Sequence, residues 1–205
     1  MYPDGRVQVR APMRMARREI DEFIDSRRAW LARQLTQIRQ TATPPLRYEQ
    51  GEQHLVFGRR VPLILEQGPR PRVMLTRSGL RVRSPSLAAQ EIQTRLENWY
   101  RAQGYVTFNE LIDRHFPFFA ERGHQRPTLT IRKMKTRWGS LSARGGMSLN
   151  LELVKAPVPL IEYVVIHELC HLEHANHGKG FQQLMTRLLP DWRRHRRDLN
   201  DAPMS

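Results

Sequence analysis

Four of the eight histidines fall within eleven residues, in the string HELCHLEHANHG that begins at His167. His167, Glu168 and His171 spell H-E-x-x-H. On a helix turning about 100° per residue, the two imidazoles stand about 40° apart on one face and one turn apart along the axis, so both can reach a single metal ion. Glu168 projects beside them, where a carboxylate can hydrogen-bond a water on the metal without entering its coordination, as a general base must. Zn2+ suits the task, because two or three His ligands leave a position for a water whose pKa the metal lowers to about 7. With the His and Glu content of this chain, chance would produce the motif roughly 0.02 times. The surrounding helix is apolar (Ile161, Val164, Val165, Ile166, Leu169, Leu172), a setting in which two unpaired imidazoles would be costly.

The third ligand is expected to be His177, with His174 or a downstream carboxylate as the alternatives. His174 lies seven residues after His167, on the same face but about 10 Å further along a straight helix, too far for all three rings to meet one ion. His177 lies past the expected helix end at Ala175-Asn176, where Asn tolerates the left-handed conformation of a chain reversal and Gly178 adds freedom. Cys170 points about 60° away from the His167 face and reads as core packing. Tyr163, one turn before His167, also reads as packing rather than as an oxyanion donor. Arg137 could stabilise an oxyanion or make a structural salt bridge.

These side chains need a scaffold, and the chain is long enough to bury a core of its own: 205 residues, 40% hydrophobic and 26% charged, figures that exclude wholesale disorder. A single Cys170 cannot form an internal disulfide, which fits a reducing compartment. The opening MYPDGRVQVRAP has no apolar signal-peptide core, and no apolar run approaches the roughly 18 residues needed to span a bilayer. A cytoplasmic protein without a membrane partner is the expectation; oligomeric state is left open.

Apolar spacing places the elements. Residues 6–10 alternate like a short strand, and Ile20, Phe23, Ile24, Trp30, Leu31, Leu35 and Ile38 predict one amphipathic helix over about 15–40 whose stripe is core, stopped by Pro44 and Pro45. Four β-type runs between His54 and Ser84 predict an antiparallel meander. A helical stripe from Ile92 to Phe119 predicts a helix over about 87–122, bent near Gly104. Three more strands follow, the last in GMSLNLEL, then a helix from the prolines of APVP to about Ala175 and a final helix over 179–189. Strands and helices are partly segregated, so the fold class is α+β. The expected division is an N-terminal helix and meander region over 1–85 and a catalytic domain over 86–205.

Net charge is +14, and most basic residues are interleaved with acids. One stretch differs: between Arg122 and Leu151 stand Arg122, Arg126, Arg132, Lys133, Lys135, Arg137 and Arg144 with no Asp or Glu. This 122–144 segment is either a solvated face or a surface for a nucleotide or nucleic acid.

The string RWGSLSARGGMSLNLELVKAPVPLIEYVVIHELCHLEHANHGKGF resembles the YgjP-like family of predicted metal-dependent hydrolases, related to SprT-like zincins. The resemblance extends more weakly over nearly the whole chain, including the DGxVxVxAP segment at the start. It implies a zincin-like domain, a small antiparallel sheet with the H-E-x-x-H helix, in which His167, His171 and His177 match the zinc ligands and Glu168 the catalytic acid. Two departures are Leu141, where Cys is frequent, and Gln182, where Trp is frequent; both concern packing beside the site. By analogy with zincins, GMSLNLEL is the edge strand on which an extended substrate would lie, or else a plain core strand. The expected function is a zinc metallopeptidase acting on a peptide or protein. The alternatives are a metal-dependent nucleotide phosphohydrolase holding phosphates with Arg132, Lys133, Lys135 and Arg137, and a nucleic-acid-associated SprT-like protease.

Overall fold

The computed structural model describes residues 7–9, 11–41 and 46–201. Arg6 and Arg10 of the expected first strand, and the Pro44-Pro45 helix stop, lie outside these residues; Val7, Gln8 and Val9 between them are not assigned to a strand. The described residues up to 41 fall in one compact unit and residues 46–201 in another.

In the first unit the expected single helix is two, α1 (Arg17–Ser26) and α2 (Arg28–Thr41), separated at Arg27 (φ −104°, ψ 0°). The Ser26 hydroxyl donates to the Phe23 carbonyl at 2.7 Å, a local bond that competes with the helical ladder where the break occurs. The apolar stripe is also not the core it was expected to be. No residue of α1 is buried, and Phe23 and Trp30 are 56% and 48% exposed. Periodicity establishes that a helix has an apolar face, and says nothing about what covers it.

The second unit is α+β. Its first sheet contains β1 (Gln53–Val56), β2 (Arg59–Gln67), β3 (Arg72–Thr76) and β4 (Gly79–Ser84) in the order β1-β2-β4-β3. The antiparallel meander is therefore corrected at one pairing: β2 runs parallel to β4, while β1–β2 and β3–β4 are antiparallel. Burial explains the insertion. Leu80 and Val82 of β4 are fully buried, whereas β3 has no buried residue and takes the edge. Gly79 makes the close approach possible, since a Cβ there would lie 2.3 Å from the Pro62 carbonyl oxygen.

β1 and β2 are joined by Phe57 and Gly58, both at positive φ (48° and 79°), as a two-residue hairpin turn requires. The tip is tied down. Phe57 N–H donates to the Val154 carbonyl at 2.8 Å and Gly58 N–H to the Lys155 carbonyl at 3.0 Å. A Cβ on Gly58 would meet Pro157 at 2.7 Å. The hairpin thus clamps the chain that leads into the H-E-x-x-H helix.

The long helix α3 (Ala89–His115) buries Ile92, Leu96, Tyr100, Phe108, Leu111 and Ile112, the stripe read from the sequence, and runs unbroken through Gly104. Gly104 has a packing role: a Cβ there would lie 2.9 Å from Val154 Cγ2. Pro117 opens the short α4 (Pro117–Ala120). The second sheet, β5 (Thr128–Arg132), β6 (Gly139–Leu141) and β7 (Gly146–Asn150), has the order β5-β7-β6, with β5–β7 parallel and β6–β7 antiparallel. It is a mixed sheet rather than an antiparallel one. β7 is central, which overturns its expected role as the substrate-binding edge, because both its edges already pair with neighbours. The strand also stops at Asn150, and Leu151–Lys155 forms a 3-10 helix.

Helix α5 (Val158–Cys170) carries the motif and is buried on nearly every side, as its uniformly apolar sequence demands. α6 (Lys179–Leu188) follows, then α7 (Trp192–Asp201), which the sequence reading missed. α7 packs on α5 and buries Trp192, His195 and Leu199. Among the described residues no helix is long and apolar enough to cross a membrane.

Candidate metal centre

α5 ends at Cys170, five residues earlier than expected, with His171 as its C-cap. The chain continues through tight turns, with Leu172 N–H donating to the Leu169 carbonyl at 2.9 Å and His174 N–H to the Cys170 carbonyl at 3.0 Å. This tightening, followed by the reversal at Asn176 and Gly178, carries His177 back over the helix end. The Asn176 side chain accepts from Gly178 N–H at 3.2 Å and holds the turn.

His167, His171 and His177 each offer a ring nitrogen within 4.8 Å of the others. His177 Nε2 faces His167 Nε2 at 3.0 Å, close to the separation of two nitrogens bound to one tetrahedral zinc at about 2.0–2.1 Å each. His171 Nδ1 lies 2.9 Å from the His174 carbonyl. A carbonyl can only accept, so Nδ1 carries the proton and Nε2 is left with its lone pair for a metal. His174 contributes this carbonyl; its ring packs against Gly180, where a Cβ would meet it at 2.8 Å.

Burial, reinforced by the neighbouring His171, His177 and Arg196, pushes His167 down to about 3, and His177 is lowered by burial and by the same kind of neighbours. Both imidazoles are thereby held neutral at physiological pH, the form that binds metal. The three rings pack against Phe181, with centroids 4.7–5.0 Å from its own. Phe181 is a residue that reasoning from ligand spacing passed over. Its position two residues into α6, one turn past His177, was the available signal.

Glu168 is 5% exposed. Burial pushes its carboxyl up to about 7, against the pull of the Leu141 N–H, which donates to it, and of the Arg137 charge. The carboxylate lies against β6 because residue 139 has no side chain: a Cβ on Gly139 would stand 2.6 Å from Glu168 Oε1. β6 in turn is positioned by Asn150, which is fully buried. Its Nδ2 donates to the Met134 carbonyl at 2.7 Å and the Arg137 carbonyl at 3.0 Å, and its Oδ1 accepts from Met134 N–H and Glu152 N–H at 3.3 and 3.2 Å. Sequence chemistry gave Asn150 no role.

Tyr163 is buried with its ring 5.9 Å from that of His167, and Cys170 is fully buried with its thiol pushed up to about 12 by burial. Trp138 is half-buried against the core. Arg137 is exposed and close enough to Glu168 for its charge to act there. The 122–144 segment is less free than its sequence suggested. Arg122 pairs with Glu173, Arg126 with Asp113 and Lys133 with Glu97, so acids brought from other elements meet three of its seven cations.

The chain matches the family model described as YgjP-like, metallopeptidase domain, over residues 1–202. Among solved structures it is similar to the metallopeptidase zymogen of Pyrococcus abyssi abylysin, at 22% identity and TM-score 0.40, over 45% of this chain and 90% of that one. It is similar also to the metallopeptidase zymogen of Methanocaldococcus jannaschii jannalysin, at 18% identity and TM-score 0.40, over 45% of this chain and 93% of that one. No curated protein matches it. The family match takes in both units and every element around the histidine triad, and on that ground the chain belongs to the YgjP-like metallopeptidase family and is a hydrolase.

Proposed function

We propose that the protein is a zinc-dependent peptidase in which His167, His171 and His177 hold the metal, Glu168 is the general base, and residues 86–205 carry the catalytic machinery. The convergence of three imidazoles carries this reading: ligand nitrogens within 4.8 Å, one with its Nδ1 turned to a carbonyl, are a donor set suited to zinc. When bound, zinc would supply a Lewis acid that polarises a scissile carbonyl and acidifies a water.

The chain's own residues supply the rest. The Glu168 carboxylate, held against β6 beside the triad, takes the proton of the attacking water and returns it to the leaving amine; its elevated pKa near 7 suits both halves of that cycle. Gly139 keeps its oxygen clear and the Leu141 N–H orients it. An extended peptide would lie along β6, the edge strand beside α5, in place of the central β7. Arg137, exposed near Glu168, is placed to stabilise charge developing on the substrate oxygen. The single, buried Cys170 suits a cytoplasmic setting.

The test is a metal and turnover comparison. Wild-type protein should carry about one zinc per chain and cleave members of a peptide panel. Glu168→Gln should keep the zinc while turnover falls by at least about 100-fold. Undiminished turnover with zinc bound would remove Glu168 from the mechanism, and a zinc-free protein that cleaves peptides equally well would end the metal reading.

A further inference from the structure

Beside the metal centre, α6 and α7 border two adjoining open hollows of about 330 and 370 Å³. They share Gln182 and Arg193. Lys179 completes the charged lining of one, Arg196 and Arg197 that of the other, and no Asp or Glu lines either. Among the described residues Arg194 pairs with Asp191, between the two helices, and none of these four cations has a carboxylate partner. Elsewhere some basic side chains pair with acids from distant elements, as Arg126–Asp113 and Lys133–Glu97 show. Here four like charges line two adjoining hollows, an arrangement that an anion would relieve.

The hollows are continuous with the site. Gln182 Nε2 donates to the His177 carbonyl at 3.3 Å, so one of the two residues common to both touches the loop of the third histidine. Arg196 is close enough for its charge to act on Tyr163, His167 and His177. Arg193 rests over the Trp192 ring at 4.6 Å, a contact that limits its freedom.

We propose that this α6–α7 groove is a substrate subsite for a peptide carboxylate, bound by Arg196 and Arg197 with Lys179 and Arg193 in support, which directs the enzyme to acidic peptides. The proposal rests on the peptidase reading above. Guanidinium groups recognise carboxylates through paired, charge-assisted hydrogen bonds, and each hollow has the volume of a small-ligand pocket. A nucleic acid is the less fitting occupant, because backbone binding spreads over an extended track of about 6–10 phosphate contacts. The carboxylate could belong to an Asp or Glu side chain or to the peptide's C-terminus.

The experiment uses the full zinc-loaded chain and two readouts. In the first, peptides sharing one cleavable sequence carry Glu or Gln at flanking positions, each with a free or amidated C-terminus. The carboxylate-bearing peptides should be cleaved with a kcat/KM about tenfold higher, by an advantage that shrinks with added salt and disappears in Arg196→Gln/Arg197→Gln with zinc content unchanged. Whether the Glu or the free terminus confers it identifies the source. Equal cleavage of all four peptides overturns the subsite and leaves the peptidase reading standing.

If no peptide is cleaved, the peptidase reading fails and the groove is judged by the second readout, fluorescence anisotropy of a labelled Glu-rich peptide. Binding that the double variant abolishes supports the groove. Absence of binding overturns it, as does tighter, Arg196-dependent binding of a single-stranded oligonucleotide of equal charge. Arg193→Gln is the second variant if the double substitution impairs folding, and it should reduce the same preference in part; an unchanged preference in a folded Arg193→Gln and a folded double variant counts against the proposal.

Discussion

Gly139 and Glu168 face one another so closely that a Cβ on residue 139 would lie 2.6 Å from Glu168 Oε1 and 2.9 Å from its Cγ. The bare backbone of β6 lets the carboxylate settle against the strand and accept the Leu141 N–H. Strand and helix thereby fix the orientation of this carboxylate, and the glycine of the RWGS segment acquires a reason that lies in the site rather than in a turn.

Gly139→Ala should therefore displace the carboxylate without touching a metal ligand. The expected outcome is normal zinc content with turnover reduced on the order of 100-fold, the effect of misplacing a catalytic group by about an ångström. Zinc analysis and kcat/KM on the same preparation check it, and a rate within twofold of wild type would show that Glu168 is not constrained from this side.

The histidines should separate by role. His171→Ala and His177→Ala should each lose zinc on dialysis, because removal of one imidazole leaves only two ligands. His174→Ala should retain it, since residue 174 holds His171 through its backbone carbonyl. Zinc loss from His174→Ala but not from His177→Ala would reassign the third ligand.

Acid stability of the metal-free protein should expose two opposed groups. His167 is depressed from 6.5 to about 3, so the unfolded chain takes up a proton below pH 6.5 that the fold refuses, and stability is lost as pH falls from 6.5 towards 3. Glu168 is raised from 4.5 to about 7. Its contribution is present below pH 4.5 and is lost as pH rises through 7. Between pH 4.5 and 6.5 the two partly cancel. Thermal melts of metal-free Glu168→Gln should show a steeper loss on acidification than wild type, and His167→Gln a shallower one; parallel curves for all three proteins would contradict both assignments.

Asn150→Leu should be among the most damaging changes distant from the metal. It removes four hydrogen bonds and leaves backbone groups of Met134, Arg137 and Glu152 without that partner. A loss of about 3 kcal/mol or more is expected from desolvated groups left unpaired, read by urea denaturation. Turnover should fall further than zinc content, because the loop that Asn150 holds leads into β6.

The sequence by itself determined the local geometry of the candidate site. H-E-x-x-H is a local motif, and a helix of fixed pitch carries His167 and His171 to one face whatever surrounds them. The reach argument that chose His177 was likewise local, and the structure brings that ring to His167. The α3 stripe was legible because a long, regular period leaves little ambiguity. What only the tertiary structure decided was which elements become neighbours. β4 inserts beside β2, and β7 becomes central, because strand order depends on which faces end up buried, which residue alternation does not encode. α7 was hidden by its charge, although Trp192, His195 and Leu199 mark a buried stripe. The α1–α2 stripe, conversely, looked like core, yet no residue of α1 is buried and Phe23 and Trp30 are exposed. The roles of Gly139, Asn150 and Phe181 depend on distances across elements remote in sequence. Composition and spacing constrain a residue's neighbours along one helix or strand; only packing brings a glycine of one element against a carboxylate of another.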